Sequence, residues 1–254
     1  MKIRTFQTPG KAARALAREI ERAVLRNPRL VLGLPTGRTS IPLYRELVDL
    51  CRADKIDFSH ATTFNLDEFV GLSPEDPRSY RAFMQRHLFD HVNLSRRRTH
   101  LLNGAARDLG AECIRFERAI ARAGGIDLMV LGLGRNGHVG FNEPDRFLVS
   151  HTHRMRLRAS TRHANAFLFG NRMAAVPREA LSMGMGTILE ARRIVLLVTG
   201  RSKAHAVERV LSGRMTTRVP ASFLQLHRDV EVWLDAAAAV FMSSSSRSRG
   251  STSS

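Results

Sequence analysis

The chain has 254 residues, 43% of them apolar and 25% charged, which excludes a disordered, collagen-like or disulfide-scaffold protein. Basic residues outnumber acidic ones 40 to 23, for a formal charge of +17, and only four are lysines: Lys2, Lys11, Lys55 and Lys203. That charge raises nucleic acid or a membrane surface as partners, but aromatics make up 6% of the chain and form no stacking motif among the arginines.

Cys51 and Cys113 form no CxxC and no zinc-type spacing, and each falls in a helical pattern. They read as free thiols, and no metal site is expected. Met1 to Thr5 lack the apolar run of a signal peptide. No stretch approaches the roughly 20 apolar residues of a membrane span. The expectation is a cytoplasmic protein with no membrane partner.

In chain order, Ala13, Leu16, Ala17, Ile20 and Val24 recur at helical spacing and predict a helix over Lys11 to Asn27. Leu30 to Leu34 reads as a strand buried on both faces. A turn over Pro35 to Ser40 follows, then a helix to about Ala53. Ala61 to Val70 reads as a strand, Gly71 to Asp76 as a polar loop and Tyr80 to Val92 as a helix. Ala105 to Ala123 predicts another helix and Ile126 to Leu133 a buried strand. Ile194 to Val198 is a further strand, Lys203 to Leu211 a helix and Val230 to Leu234 a last strand. Strands alternating with helices, each ending in a glycine-containing turn, indicate a parallel α/β sheet. Ligands of such sheets bind at the carboxyl ends of the strands. From Ser243 the chain is serine- and arginine-rich, so residues 243–254 are expected to form a flexible tail to a domain spanning 1–242.

Four segments at these strand ends carry chemistry. Thr36, Gly37, Arg38 and Thr39 join a strand to a helix start, where free N–H groups favour an anion such as phosphate. The segment matches neither a P-loop nor GxGxxG. Asp67 and Glu68 follow a strand, and adjacent residues of an extended chain point to opposite faces. One carboxylate then serves as a general base in a pocket while the other meets a structural partner. Gly132 to Pro144 holds four glycines with Asn136, His138 and Glu143. His138 exchanges protons near neutral pH, and Glu143 lies close enough in a tight loop to orient it. Finally, Lys203 stands at a helix start, a position that disfavours a cation unless an anion binds there.

Together these segments resemble the glucosamine-6-phosphate deaminase family. The matching stretches are GLPTGRTSIPLY, TFNLDEFVGLSPEDPRSYRAFM, LGLGRNGHVGFNEP, ALSMGMGTILEARR and VPASFLQLH, in family order to about Asp235. The resemblance implies a single-domain, Rossmann-like, three-layer α/β/α fold. It implies conversion of glucosamine 6-phosphate to fructose 6-phosphate and ammonia, without metal, nicotinamide or pyridoxal cofactor. By this resemblance His138 opens the sugar ring with support from Glu143, Asp67 moves the C2 proton, and Asn136 positions the His–Glu pair. Thr36, Gly37, Arg38, Thr39 and Lys203 match phosphate-binding positions, and Glu68 reads as structural.

The chain also departs from the pattern. Many members carry a phosphate-gripping arginine where this chain has Phe167, which leaves Arg162 or Arg172 as nearby substitutes. His153 and Met155 stand where members activated by N-acetylglucosamine 6-phosphate carry Arg and Lys, so activation is expected to be weak or absent. The resemblance makes 146–172 a lid and leaves monomer or homo-oligomer open. The nearest rival is a 6-phosphogluconolactonase of the same superfamily. A sugar-phosphate-binding regulator is the rival of another class. With a small anionic phosphosugar as partner, nucleic acid is not expected.

Overall fold

Ten strands and seven α-helices run through the described residues, 1–242, of this computed structural model; the tail expected over 243–254 lies outside them. In chain order the first half comprises β1 (Lys2–Phe6), α1 (Pro9–Arg26), β2 (Val31–Leu34), α2 (Ile41–Arg52), β3 (Thr62–Asn65), β4 (Asp67–Phe69), α3 (Tyr80–His87), β5 (Thr99–His100) and α4 (Leu109–Arg122). The second half comprises β6 (Leu128–Gly132), β7 (His153–Arg156), α5 (Ala159–Asn165), β8 (Glu179–Ser182), α6 (Met185–Leu189), β9 (Arg193–Val198), α7 (Ala204–Leu211) and β10 (Val230–Asp235).

Seven of these strands form one parallel sheet in the order β1-β10-β9-β6-β2-β3-β5. Period-2 alternation divides its side chains between two helical layers. Ile194, Leu196 and Val198 of β9 pack in a core with Phe116, Ile188 and Val207 of α4, α6 and α7. Val195 and Leu197 pack on the other face with Leu16 and Leu47 of α1 and α2. The fold is therefore a three-layer α/β/α domain, as the sequence reading expects. The chain winds outward in opposite directions from β2 and β6, so the gap between their carboxyl ends is the topological switch point.

Several helix ends differ from the periodicity, one of them through a capping side chain. Asp108 accepts the Ala111 N–H (2.9 Å), so α4 begins at Leu109 instead of Ala105. The Tyr80 helix ends at His87 and gives way to a 3-10 turn over Phe89–His91. Arg201–Lys203 likewise form a 3-10 turn, which leaves Lys203 at the N-cap of α7. Ser40 does not cap α2 with its side chain; its hydroxyl donates to Gly37 O (2.8 Å) and closes the turn before the helix.

The largest departure lies in Ala61 to Val70, which is two strands. β3 belongs to the main sheet. At Leu66 the chain leaves that sheet, its carbonyl accepting the Met183 N–H (2.7 Å), and β4 joins a small antiparallel sheet ordered β4-β8-β7. The reason is visible at Glu68. Its buried carboxylate accepts the N–H groups of Phe69 (2.9 Å), Tyr80 (2.9 Å) and Arg81 (3.0 Å), the last two at the first turn of α3. A carboxylate seated on free helix N–H groups satisfies donors that no helical carbonyl reaches.

Glu68→Ala leaves those donors without their acceptor inside the protein. The expected loss is about 2–4 kcal/mol of unfolding free energy, measured by urea denaturation.

Candidate active site

A cavity of about 360 Å³ opens at the switch point. It is lined by the turns that follow β2, β6 and β9, by Asp67 and Tyr80, and by α5 with Phe167 beyond it. Every site residue expected from the sequence lines it except Glu143, which is buried directly behind His138.

The turn after β2 is braced from below. Tyr44 donates its hydroxyl to Pro35 O, and Asn65 donates its side-chain amide to Leu34 O (3.0 Å). Gly37 has φ +100°, a conformation other residues adopt only with strain. Thr36 donates its hydroxyl to Asp67 Oδ1 at 3.4 Å. The pleat separates the two acids as expected: Asp67 faces the cavity while Glu68 is held by α3. Burial, and then the adjacent Glu68 charge, push the Asp67 pKa up to about 8, against the Thr36 hydrogen bond. Glu68 is also raised by burial, with its three backbone N–H donors opposing.

The turn after β6 wraps around an imidazole. Gly134 N–H donates to His138 O (2.8 Å), and a Cβ at Gly134 would lie 2.3 Å from the His138 ring. Only glycine permits that approach. His138 Nδ1 lies 3.5 Å from Glu143 Oε2 and 3.5 Å from Thr161 Oγ1. Asn136 donates its side-chain amide to Glu143 Oε2 (2.7 Å), and the Arg158 N–H donates to Glu143 Oε1 (3.2 Å). Burial raises the Glu143 pKa, but the hydrogen bond and charge of His138, with Thr161 and Asn136, outweigh it and hold the group down at about 2. Glu143 thus stays ionised and can orient a proton on Nδ1, which leaves Nε2 as the ring's acceptor.

Lys203 stands after β9 in a loop anchored by Asp235, whose Oδ1 accepts the Gly200 N–H (3.0 Å). Burial, and then the charges of Arg135 and Arg38, lower its pKa to about 8. Neither nearby arginine considered from the sequence replaces the grip missing at Phe167. Arg162 is committed to Val176 O (2.9 Å) and Met173 O (3.0 Å), and neither it nor Arg172 lines the cavity. The Phe167 ring instead lies 5.1 Å from the Arg38 guanidinium.

The family model described as glucosamine-6-phosphate isomerases/6-phosphogluconolactonase matches residues 7–233. The chain belongs to this family. A glucosamine-6-phosphate deaminase of Halothermothrix orenii is 50% identical over 216 residues, 85% of this chain and 89% of that protein. One from Alkaliphilus metalliredigens is 44% identical over 239 residues, 94% and 98% of the two chains. A solved structure of a monomeric glucosamine-6-phosphate deaminase superposes with a TM-score of 0.92 at 43% identity, covering 94% of this chain and 99% of that one. The 6-phosphogluconolactonase of Thermotoga maritima, at 17% identity and a TM-score of 0.70 over 92% and 98% of the chains, shares the fold.

Within the family frame, Arg135, Tyr80, Asn165 and Thr161 are cavity residues that the sequence reading assigned no part. Tyr80 donates its hydroxyl to Asn165 Oδ1 (2.9 Å), tying α3 to α5 across the cavity wall. Adjacency to the His138 turn and to the SYRAFM stretch was the available signal for Arg135 and Tyr80. A larger open groove of about 1090 Å³ lies along α4 and β7, and its half-buried acid Glu117 is occupied by Thr152 and Thr187. Among the described residues no group of three or more His, Cys, Asp or Glu is placed to hold a metal ion, and no helix is long and apolar enough to cross a membrane.

The raised Asp67 pKa has a direct spectroscopic consequence. In a pH titration of carboxyl carbons by NMR, Asp67 takes up its proton as the pH falls through about 8. The signal is absent in Asp67→Asn. Titration of Asp67 in the ordinary carboxylate range, near 4, would contradict this environment.

Proposed function

We propose that the chain is a glucosamine-6-phosphate deaminase, converting glucosamine 6-phosphate and water to fructose 6-phosphate and ammonia. The observation that carries this reading is the composition of one cavity. A buried carboxyl that holds its proton near neutral pH and a carboxylate-supported imidazole share it with uncompensated cations. Proton transfer on a phosphosugar needs those groups together. The kinship to named deaminases at 43–50% identity supports the same reading.

Each residue then has a task. Ring opening moves a proton from the anomeric hydroxyl to the ring oxygen, and His138 relays it with Glu143 behind. Asn136 has no proton to exchange, so it holds Glu143 by hydrogen bonding and leaves the acid–base work of this turn to the pair. Asp67 takes the C2 proton, giving an enolamine, and returns a proton at C1. The resulting C2 iminium is hydrolysed by water to the ketone with release of ammonia. With a pKa of about 8 only a minority of Asp67 is ionised at neutral pH, but that fraction is a stronger base toward a carbon acid than an ordinary aspartate. Lys203, Arg38, Gly37, Thr36 and Thr39 hold the phosphate, with Thr36 also touching Asp67. Cys51 and Cys113 are free thiols, which suits the reducing cytoplasm in which we place the reaction.

Ammonia release from glucosamine 6-phosphate tests the reading, with 6-phosphogluconolactone hydrolysis as the control. The parent releases ammonia and does not hydrolyse the lactone. Binding without turnover would favour the regulator instead. Asp67→Asn is expected to reduce turnover by about a thousandfold or more while the phosphosugar still binds. Near-parental turnover would remove Asp67 from the base role.

His138→Gln is expected to slow the cyclic substrate more than the open form. Equal effects on both would place His138 outside ring opening.

A further inference from the structure

The sheet order β9-β6-β2 brings three successive strand ends side by side, and each contributes one cation to the same cavity: Lys203, Arg135 and Arg38. Some arginines elsewhere lean on carboxylates, as Arg193 does on Glu19 (2.6 Å) and Glu231 (2.7 Å), and Arg115 on Glu112 (2.6 Å), while many others stand singly on the surface; what sets these three apart is that they converge on one cavity. Among the described residues no carboxylate lies within ion-pairing distance of Lys203, Arg135 or Arg38, and none of their side chains donates a hydrogen bond within the protein. Like charges gathered in one recess repel, and the low pKa of the Lys203 amine records that repulsion together with its burial. An anion entering such a recess is attracted by all three charges and relieves their mutual repulsion.

The geometry also distinguishes the two guanidinium groups. Arg38 lies over the face of Phe167, which leaves its N–H edge free. Arg135 sits between Gly134, which packs against the His138 ring, and Asn136, which holds Glu143. It is therefore carried on the same short turn as the acid–base pair. A guanidinium matches two phosphate oxygens at once, whereas an ammonium acts as a point charge.

We propose that Arg135 is a phosphate-recognition residue that, with Lys203 and with Arg38 seated on Phe167, completes a three-cation clamp for the 6-phosphate. This rests on the phosphosugar reading above and adds to it a specificity determinant. Phe167 contributes by fixing Arg38, and Arg135 supplies the second guanidinium. The clamp favours a phosphate dianion over a monoanion or a neutral sugar, because one charge of the ligand leaves two cations uncompensated.

Two measurements test it, using the full chain. The first compares steady-state constants on glucosamine 6-phosphate for the parent, Arg135→Gln, Phe167→Leu and Arg172→Gln. Arg172→Gln removes the same unit of net charge outside the cavity. Arg135→Gln is expected to raise KM about tenfold to a hundredfold with kcat within about threefold. Phe167→Leu is expected to raise KM by a smaller factor, and Arg172→Gln to leave it unchanged. The second is calorimetric binding of inorganic phosphate to the same proteins, which needs no turnover. Arg135→Gln is expected to weaken it about tenfold or more. If parent and Arg135→Gln bind phosphate equally, the clamp is overturned whatever the enzyme turns over. If phosphate binding falls in Arg135→Gln but the parent releases no ammonia, the clamp stands and the deaminase reading fails. An equal KM rise in Arg172→Gln would assign the effect to net charge and overturn the proposal.

Discussion

Three backbone N–H groups converge on the Glu68 carboxylate, and the arrangement of the cavity follows from that anchor. It ties β4 to the first turn of α3 and holds the chain where it leaves the main sheet at Leu66. Because successive side chains of an extended strand point oppositely, fixing Glu68 outward fixes Asp67 inward. The same anchor sets chemistry as well as position. It keeps a second acid beside the buried Asp67, where like charge adds to burial in raising the basicity of the carboxyl that faces the cavity.

The parallel core was legible because its strands are short, apolar on both faces and closed by glycine. Leu128 to Gly132 and Arg193 to Val198 could hardly be placed otherwise. The small antiparallel sheet was not legible. Its strands His153–Arg156 and Glu179–Ser182 are short, and their pairing with Asp67–Phe69 joins segments far apart in the chain. Edge strand β1 escaped for a related reason, since Lys2 to Arg4 are polar or exposed and gain order by pairing with β10. Site residues were readable where backbone chemistry demanded a residue type, as at Gly37 or in the His138 turn. Arg135 was not, because in a chain this rich in arginine a single one carries no signal until its neighbours in space are known.

The strong positive charge takes on a different meaning once it is divided by location. Surface pairs such as Arg14 with Glu46 (3.2 Å) and Arg154 with Glu179 (2.6 Å) cancel charge and contribute little energy, so the net excess rests on the arginines outside such pairs. The cavity is polarised by contrast. Carboxyl groups and the imidazole gather around Asp67 and His138, while Arg38, Arg135 and Lys203 leave the other part of the lining positive. A neutral Asn136 keeps the His138 turn from adding another titrating group between them.

The scarcity of lysine has a consequence for reactivity. An amine is a nucleophile only when it has lost its proton, and Lys203, with a pKa of about 8, loses it well below the ordinary 10.5 of a lysine. Of four lysines in the chain it is the one set at the cavity wall. The repulsion that readies this recess for an anion therefore also makes the Lys203 amine easier to deprotonate, and so to acylate, than an ordinary lysine. Amine-selective reagents at mildly alkaline pH thus provide a covalent handle on the cavity, and an occupying phosphate, by restoring the proton, switches that handle off.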